Sequence, residues 1–221
     1  VTGVPVIDIA TNVMLGSKLA DMGYSTGIAP TPDVVAVKVP VFSTEKLPQV
    51  EVSLGPEMRS TGEVLGVGQN FHEAMYKGFT AAGTTIPKAG STILVTVREM
   101  DKENFLPIAK KFHELGCKFI ATAGTAKLLE DNDIPVQVAK KISEGVPNIL
   151  DVIRSGMIDL IIDIPKKGND IHSDGFKIRR TAIECDVSIM TSLDTVKALV
   201  DVMEHRYTPD TVEVISLSDI K

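Results

Sequence analysis

The sequence predicts an α/β fold: a doubly wound, mainly five-stranded parallel sheet of Rossmann type over residues 89–221. From Gly90 onward, short apolar runs alternate regularly with amphipathic segments, which gives five strand–helix units in about 115 residues. Two of these runs, TILVTV and IDLIIDI, are almost continuously apolar, as is typical of strands covered on both faces. The chain of 221 residues is 43% hydrophobic and 24% charged, which is enough apolar material for such a core.

Local signals mark the ends of several helices in these strand–helix units. Gly116 and Gly156 stand where a helix ends in a left-handed residue, and Asp174 is a candidate N-cap. The predicted strands are 92–97, 118–122, 135–138, 158–164 and 187–190, and the predicted helices are 102–115, 125–130, 148–155, 174–185 and 192–205.

Residues 1–88 do not form a self-contained pattern. A helix is predicted over 8–19, and an edge strand over 34–42 because Pro40 lies inside it. Residues 54–63 are polar and turn-rich, and 70–82 form a second helix with Phe71, Ala74, Met75 and Phe79 on one face. We expect these pieces to be the tail of a larger domain and a connector, without a core of their own.

Composition excludes several classes of function. The net charge is −6 and the chain lacks Trp, which argues against nucleic acid as a partner. No apolar run approaches the roughly 20 residues of a membrane span, and no secretory leader is visible. The spacing of Cys117 and Cys185 matches no metal-binding or redox motif. We therefore expect both cysteines to behave as small buried apolar residues in a reduced, cytoplasmic protein, and we expect no metal site.

Residues 121–126 (ATAGTA) join a predicted strand to a helix and are a candidate phosphate site. Gly124 would let a ligand approach the backbone, and Thr122 and Thr125 offer hydroxyl groups beside the helix N-terminus. A plain Thr-capped helix is the alternative interpretation, because the motif is neither a Walker loop nor G-x-G-x-x-G.

Lysines follow three predicted strands: Lys102, then Lys140 and Lys141, then Lys166 and Lys167. Strand ends on one edge of a parallel sheet converge, so these cations could face one anion, although each alone could be a solvated surface residue.

Arg179 and Arg180 are expected to form ion pairs with surface acids rather than to bind an anion. His172 is expected to be a surface residue, and the four histidines show no ligand spacing.

Two motifs resemble one family. Residues 54–68 (LGPEMRSTGEVLGVG) resemble the connector of the carbamoyl-phosphate synthase large subunit, and residues 2–5 (TGVP) resemble the stretch that follows its ATP-grasp metal-binding strand. Residues 90–221 resemble the methylglyoxal-synthase-like domain of that subunit. The resemblance divides the chain into an ATP-grasp tail with connector (1–88) and an allosteric domain (89–221).

The resemblance also implies function. The parent enzyme is an ATP-dependent ligase that makes carbamoyl phosphate from bicarbonate, glutamine and ATP, for pyrimidine or arginine synthesis. It uses Mg²⁺ or Mn²⁺ and K⁺, works with a glutaminase small subunit, and is expected to be a homo-oligomer. The metal-binding motif and the ATP-binding positions of the family are absent from these residues, so no catalytic residue and no cofactor is expected in this chain itself.

By motif matching, the resemblance assigns a UMP-type nucleotide or phosphoribosyl effector to one pocket. The family's strand-four end carries Asn-Thr, and here it reads Asp163-Ile-Pro165, which removes hydroxyls, although Asp163 could accept from a ribose. The expected effector-binding residues are Thr96, Lys102, Thr122, Gly124, Thr125, Lys141, Asp163 and Lys166.

Two other functions remain open. A methylglyoxal synthase-type lyase shares the fold, but its catalytic Asp position falls on Val146 and its strand-one His position on Arg98, so a base is missing. A structural or oligomerisation module with an empty pocket is the second alternative.

Overall fold

A computed structural model describes residues 2–24, 26–28, 30–43, 58, 60–165 and 172–216. In chain order the elements are α1 (Val6–Met14), β1 (Val35–Val41), β2 (Gly62–Gly68), α2 (Phe71–Ala81), β3 (Thr92–Val97), α3 (Lys102–Glu114), β4 (Lys118–Thr122), α4 (Ala123–Glu130), β5 (Val136–Ala139), α5 (Ile149–Arg154), β6 (Leu160–Ile164), α6 (Asp174–Glu184), β7 (Ser188–Met190) and α7 (Leu193–Glu204). Short 3₁₀ turns cover Leu19–Met22, Glu99–Asp101 and Ile142–Glu144.

The central sheet has five strands in the order β5-β4-β3-β6-β7. Every neighbouring pair is parallel, and Thr96 of β3 lies in register beside Asp163 of β6. The chain winds outward from β3 to β5 and then crosses to β6 on the other side of β3. The predicted doubly wound sheet is therefore confirmed, and its topological switch point lies between β3 and β6.

The core lies on both faces of this sheet. Ile93 and Val95 of β3 pack in one apolar cluster with residues of α3 and α7. Leu94 points to the opposite face and packs in a second cluster with residues of α5 and α6. The continuous apolar runs seen in the sequence follow from this arrangement, because both side-chain sets of β3 and β6 are buried.

The predicted element boundaries are close to those observed. Strands 92–97 and 118–122 agree in full, whereas the strand predicted over 135–138 lies one residue later. The helix predicted from Thr125 begins at Ala123. The prediction of Asp174 as N-cap is wrong, because the Ser173 hydroxyl accepts a hydrogen bond from the Phe176 N–H at 3.1 Å and Asp174 lies in the first turn.

The N-terminal stretch contains β2 (Gly62–Gly68), a strand that the sequence patterns did not predict. The helix predicted over 8–19 ends at Met14, and a 3₁₀ turn follows. β1 pairs antiparallel with β2 in a two-stranded sheet, so it is an edge strand as predicted. Residues 62 and 63 belong to β2 rather than to a turn-rich segment, while residues 54–57 lie outside the described residues.

Glycines in β2 serve packing against α2. A Cβ on Gly66 would lie 2.0 Å from the Ala74 carbonyl oxygen, and one on Gly68 would lie 2.7 Å from the Ala74 nitrogen. Both positions therefore need glycine so that the strand and the helix can touch backbone to backbone.

Helix α2 packs into the main core, in agreement with the expectation that residues 1–88 have no core of their own. Met75, Tyr76 and Phe79 pack in the same cluster as β3 and α7. Phe71 was expected on this buried face, but its side chain is 47% exposed because it lies at the first position of the helix. The division at residue 88 remains a prediction.

Lys77 of α2 joins three segments. Its Nζ donates hydrogen bonds to the carbonyl oxygens of Val67 at 2.8 Å and Glu213 at 2.5 Å, and lies 2.7 Å from Glu73 Oε1. Burial opposes ionisation of Glu73, but hydrogen bonds from Lys77 and from the Gln69 N–H outweigh it and hold its pKa below the ordinary value of 4.5.

Replacing Lys77 tests this junction. We expect Lys77→Met to lower the free energy of unfolding at neutral pH by about 2 kcal/mol, because the Val67 carbonyl and the buried Glu73 carboxylate lose their donor, as does the more exposed Glu213 carbonyl. Since the folded-state pKa of Glu73 is depressed, its contribution to stability is present above about pH 4.5 and is lost as the pH falls through the folded pKa. Urea unfolding at several pH values measures both effects.

The control is Lys38→Met, which removes the more exposed Lys38–Glu63 pair and should change stability little. Equal stability of Lys77→Met and the unaltered chain would contradict the assigned role.

The two cysteines are free and differ in accessibility. Cys117 is 4% exposed and Cys185 is half-buried. Burial raises the pKa of the Cys117 thiol to about 11, with the Asp159 charge adding to the effect. None of the helices within the described residues is long and apolar enough to cross a membrane.

Thiol labelling at pH 8 should therefore distinguish them. We expect Cys185 to react with a disulfide reagent in the folded chain and Cys117 to react only after denaturation, because only about one Cys117 in a thousand would be thiolate. The Cys185→Ser variant leaves Cys117 alone for this measurement. Rapid labelling of that variant under native conditions would contradict the prediction.

Candidate functional site

A cavity of about 580 Å³ opens at the carboxyl ends of β3 and β6, at the topological switch point. Four of the residues predicted from the sequence line it, each after a different strand or near its end: Thr96, Thr122, Lys141 and Asp163. Its other lining residues are Val97, Arg98, Ile142, Ile149, Ile164, Pro165, Ser173, Asp174, Gly175, Ile178 and Arg179.

A buried ion pair forms one wall of the cavity. Arg179 Nη1 lies 2.5 Å from Asp163 Oδ2, and the two side chains are only 3% and 5% exposed. The Thr96 hydroxyl donates to Asp163 Oδ1. The network therefore connects β3, β6 and α6 across the switch point.

Gly175 makes room for this pair. A Cβ at this position would lie 2.8 Å from Arg179 Nη1 and 3.4 Å from Asp163 Oδ2. The prediction of ion pairs for Arg179 and Arg180 is confirmed, since Arg180 Nε pairs with Glu184 Oε1 at 3.0 Å. The partner of Arg179, however, is a buried acid and not a surface one. Spacing alone could not show which of two adjacent arginines points inward.

The α4 side of the cavity is built differently from the predicted loop. Thr122 precedes the helix and lines the cavity, whereas Gly124 lies within its first turn. The Thr125 side chain is buried, and its hydroxyl accepts from the Val97 N–H at 3.3 Å.

Lys102 stands beside the start of α4. Its Nζ lies 3.8 Å from the position of a Cβ on Gly124 and 2.6 Å from Glu99 Oε2. Among the described residues, Lys102, Gly124 and Thr125 do not line the cavity itself. These three residues lie behind the lining residues, on the α4 side of the cavity.

Lys141 follows β5 and lines the cavity from the edge of the sheet. Its backbone N–H donates to Glu144 Oε2 at 2.8 Å, which fixes the turn that carries it. Lys166 and Lys167 lie outside the described residues. Of the predicted strand-end lysines, the structure thus brings Lys141 to the cavity and Lys102 to its border.

Arg98 is a lining residue that sequence reasoning did not choose as a binding residue. It directly follows β3, and its Nε forms an ion pair with Asp101 Oδ2. That hydrogen bond is the main cause that raises the pKa of the guanidinium above its ordinary value. The rule that predicted the lysines, a cation at a strand end, applies equally to Arg98 and could have found it.

The histidines lie apart from the cavity lining. His172 is exposed, as expected, and His72 of α2 stacks on His205 after α7 with ring centroids 4.0 Å apart. Within the described ranges, no group of three His, Cys, Asp or Glu side chains could hold a metal ion.

The sequence is similar to known proteins over nearly its whole length. A family model described as MGS-like domain matches residues 104–191. The carbamoyl phosphate synthase large chain of Clostridium botulinum (strain Kyoto / Type A2) is 53% identical over 219 residues, which cover 99% of this chain and 20% of the relative. That of Clostridium perfringens (strain 13 / Type A) is 54% identical over 217 residues, 98% of this chain and 20% of the relative.

The chain therefore spans about a fifth of the length of the curated relatives it matches. Among solved structures, the methylglyoxal synthase from Elizabethkingia anophelis NUHP1 matches with 18% identity and a TM-score of 0.44, covering 60% of this chain and 90% of that one. The resemblance to the carbamoyl-phosphate synthase large subunit, with an MGS-like domain in the second half, is confirmed.

Removing the buried carboxylate tests the cavity wall. We expect Asp163→Asn to lower the free energy of unfolding by about 3 kcal/mol, because the buried Arg179 guanidinium would lose the carboxylate charge that lies 2.5 Å from its Nη1. Gly175→Ala should destabilise as well, since its new methyl group would displace the guanidinium. Urea unfolding measures both.

Glu184→Gln, which removes the half-exposed partner of Arg180, is the matched control and should change stability little. If Asp163→Asn were as stable as the unaltered chain, Arg179 would not depend on this carboxylate.

Proposed function

We propose that residues 89–221 act as the effector-binding regulatory domain of a carbamoyl-phosphate synthase large chain. The proposed ligand is a UMP-type nucleotide or a phosphoribosyl effector, bound in the cavity at the switch point. The observation that carries the proposal is the meeting of Thr96, Thr122 and Lys141 in one cavity. These side chains come from three separate strand ends: Thr122 supplies a hydroxyl and Lys141 a cation, while the Thr96 hydroxyl donates to Asp163 in the cavity wall.

The cavity suits such a ligand in size and charge. Its volume of about 580 Å³ lies within the range of ordinary small-molecule sites, roughly 300–1,000 Å³. A phosphate at the α4 side would meet Thr122, the first N–H groups of the helix and the nearby Lys102. In contrast to the ribose contact expected from the sequence, Asp163 already accepts from Thr96 and pairs with Arg179, which supports a role in holding the wall.

The proposed parent reaction is the ATP-dependent formation of carbamoyl phosphate from bicarbonate and glutamine. This proposal includes ATP, Mg²⁺ or Mn²⁺ and K⁺, a glutaminase small subunit, assembly into a homo-oligomer and a cytoplasmic location. The catalytic residues would then belong to the remaining large chain, whose relatives are about five times as long as this chain. Pyrimidine or arginine synthesis would use the product.

Regulation follows from linkage. The proposal requires two arrangements of this domain relative to the rest of the large chain. An effector can shift activity only if it binds one of these two arrangements more tightly than the other. An effector with equal affinity for both arrangements would change nothing.

Calorimetric titration with UMP, IMP and phosphoribosyl pyrophosphate tests the proposal. We expect at least one to bind, and Lys141→Ala to weaken its binding about tenfold through loss of a charge-assisted hydrogen bond. Lys127→Ala is the matched control, because Lys127 pairs with Asp131 on the exposed face of α4.

Absence of binding by all three ligands would favour the structural module. A second assay follows methylglyoxal formation from dihydroxyacetone phosphate. We expect none, because Val146 stands at the position of the lyase's catalytic Asp and offers no base. Turnover above background would overturn the proposal.

A further inference from the structure

We infer that Arg98, held by Asp101, binds the anionic group of the ligand directly and gives the cavity its preference for phosphate. This inference rests on the proposed function, and it adds a residue that neither the motifs nor the resemblance assigned. It follows from the position of Arg98 in the cavity wall, from the way its side chain is anchored, and from the donors that remain available there.

Arg98 is anchored through one nitrogen only. Its Nε pairs with Asp101 Oδ2, and the two side chains are 23% and 15% exposed. In the part of the chain that the structure describes, the terminal nitrogens Nη1 and Nη2 of Arg98 form no hydrogen bond. The carboxylate therefore fixes the plane of the guanidinium and leaves its outer edge available.

The other cations at the cavity are arranged differently. Arg179 is committed to the buried Asp163, and Lys102 pairs with Glu99 outside the lining. Lys141 lines the cavity but follows β5, at the edge of the sheet. Arg98 directly follows β3, which borders the switch point. Among the lining cations other than Arg179, which pairs with Asp163, it is therefore nearer to the switch point in the strand order than Lys141 is.

The chemistry of the guanidinium determines the ligand class. Its planar fork matches two oxygens of a phosphate at once, whereas a lysine acts as a point charge. Pre-anchoring by Asp101 reduces the side-chain entropy lost on binding, so more of the interaction is expressed as affinity. The Thr122 hydroxyl and Lys141 would complete a set of donors suited to a phosphate monoester.

The test uses the full-length large chain and calorimetry with UMP, uridine and inorganic phosphate. We expect Arg98→Lys to weaken UMP binding about tenfold or more although the charge is kept, because the fork is lost. Asp101→Asn should weaken it by a smaller factor, since Arg98 loses its anchor but remains present. Inorganic phosphate should compete with UMP for the unaltered chain, and more weakly for Arg98→Lys.

The matched control is Arg180→Lys. Arg180 also pairs through Nε with an acid, Glu184, but it lies outside the cavity lining. Melting temperatures of Arg98→Lys and Arg180→Lys that equal that of the unaltered chain show that both variants are folded. Uridine separates the phosphate contact from the rest of the ligand, because the unaltered chain and the Arg98→Lys variant should bind it equally.

The outcomes separate the two proposals. If the unaltered chain binds UMP and Arg98→Lys binds it equally well, the inference about Arg98 is wrong and the proposed function stands. If the unaltered chain binds none of UMP, IMP, phosphoribosyl pyrophosphate and inorganic phosphate, the proposed function is overturned and the inference falls with it. Selective loss of UMP and phosphate binding in Arg98→Lys, with Arg180→Lys unchanged, supports both.

Discussion

The buried pair between Asp163 and Arg179 is the constraint on which the cavity depends. Either charge alone would cost several kcal/mol in this environment, so strand β6 and helix α6 have to meet where these two side chains reach each other. Gly175 supplies the space, and Thr96 satisfies the second carboxylate oxygen from the neighbouring strand. The charge of Asp163 at the end of β6 is thus balanced within the wall.

This balance decides which polar groups are left for a ligand. Because Asp163 and Arg179 neutralise each other, the α6 wall keeps only the negative charge of Asp174, and the cations that could face an anion lie at the β3 and β5 ends. These cations are Arg98 and Lys141, and they line the cavity together with Thr122 at the β4 end. A ligand with one phosphate at this side and an uncharged part against the α6 wall fits the arrangement better than one with charge at both ends.

Strands were predicted well from the sequence where burial on both faces determines the residue pattern. Strands 92–97 and 118–122 were predicted in full because their apolar runs are buried on both faces. β2 was missed because residues 54–63 were interpreted as a turn-rich segment; in the fold, Gly66 and Gly68 of this strand let α2 approach. The strand-end rule found Thr122 and Lys141, and the family resemblance added Thr96, but neither found Arg179. That residue depends on which side of α6 faces β6, a tertiary property that residue spacing does not contain.

The packing of α2 also determines how a displacement at the cavity could reach other parts of the fold. α2 precedes residue 88, yet its Met75 and Phe79 lie in the core beside β3 and α7, and its backbone touches β2 through glycines that leave no space for a methyl group. Cores of this density transmit displacement rather than absorb it. A shift of β3 on binding would therefore reach β2 through α2. On this argument the β1–β2 pair moves with the parallel sheet. Under the proposed function, the change in arrangement that linkage requires would then occur between this joint unit and the rest of a large chain.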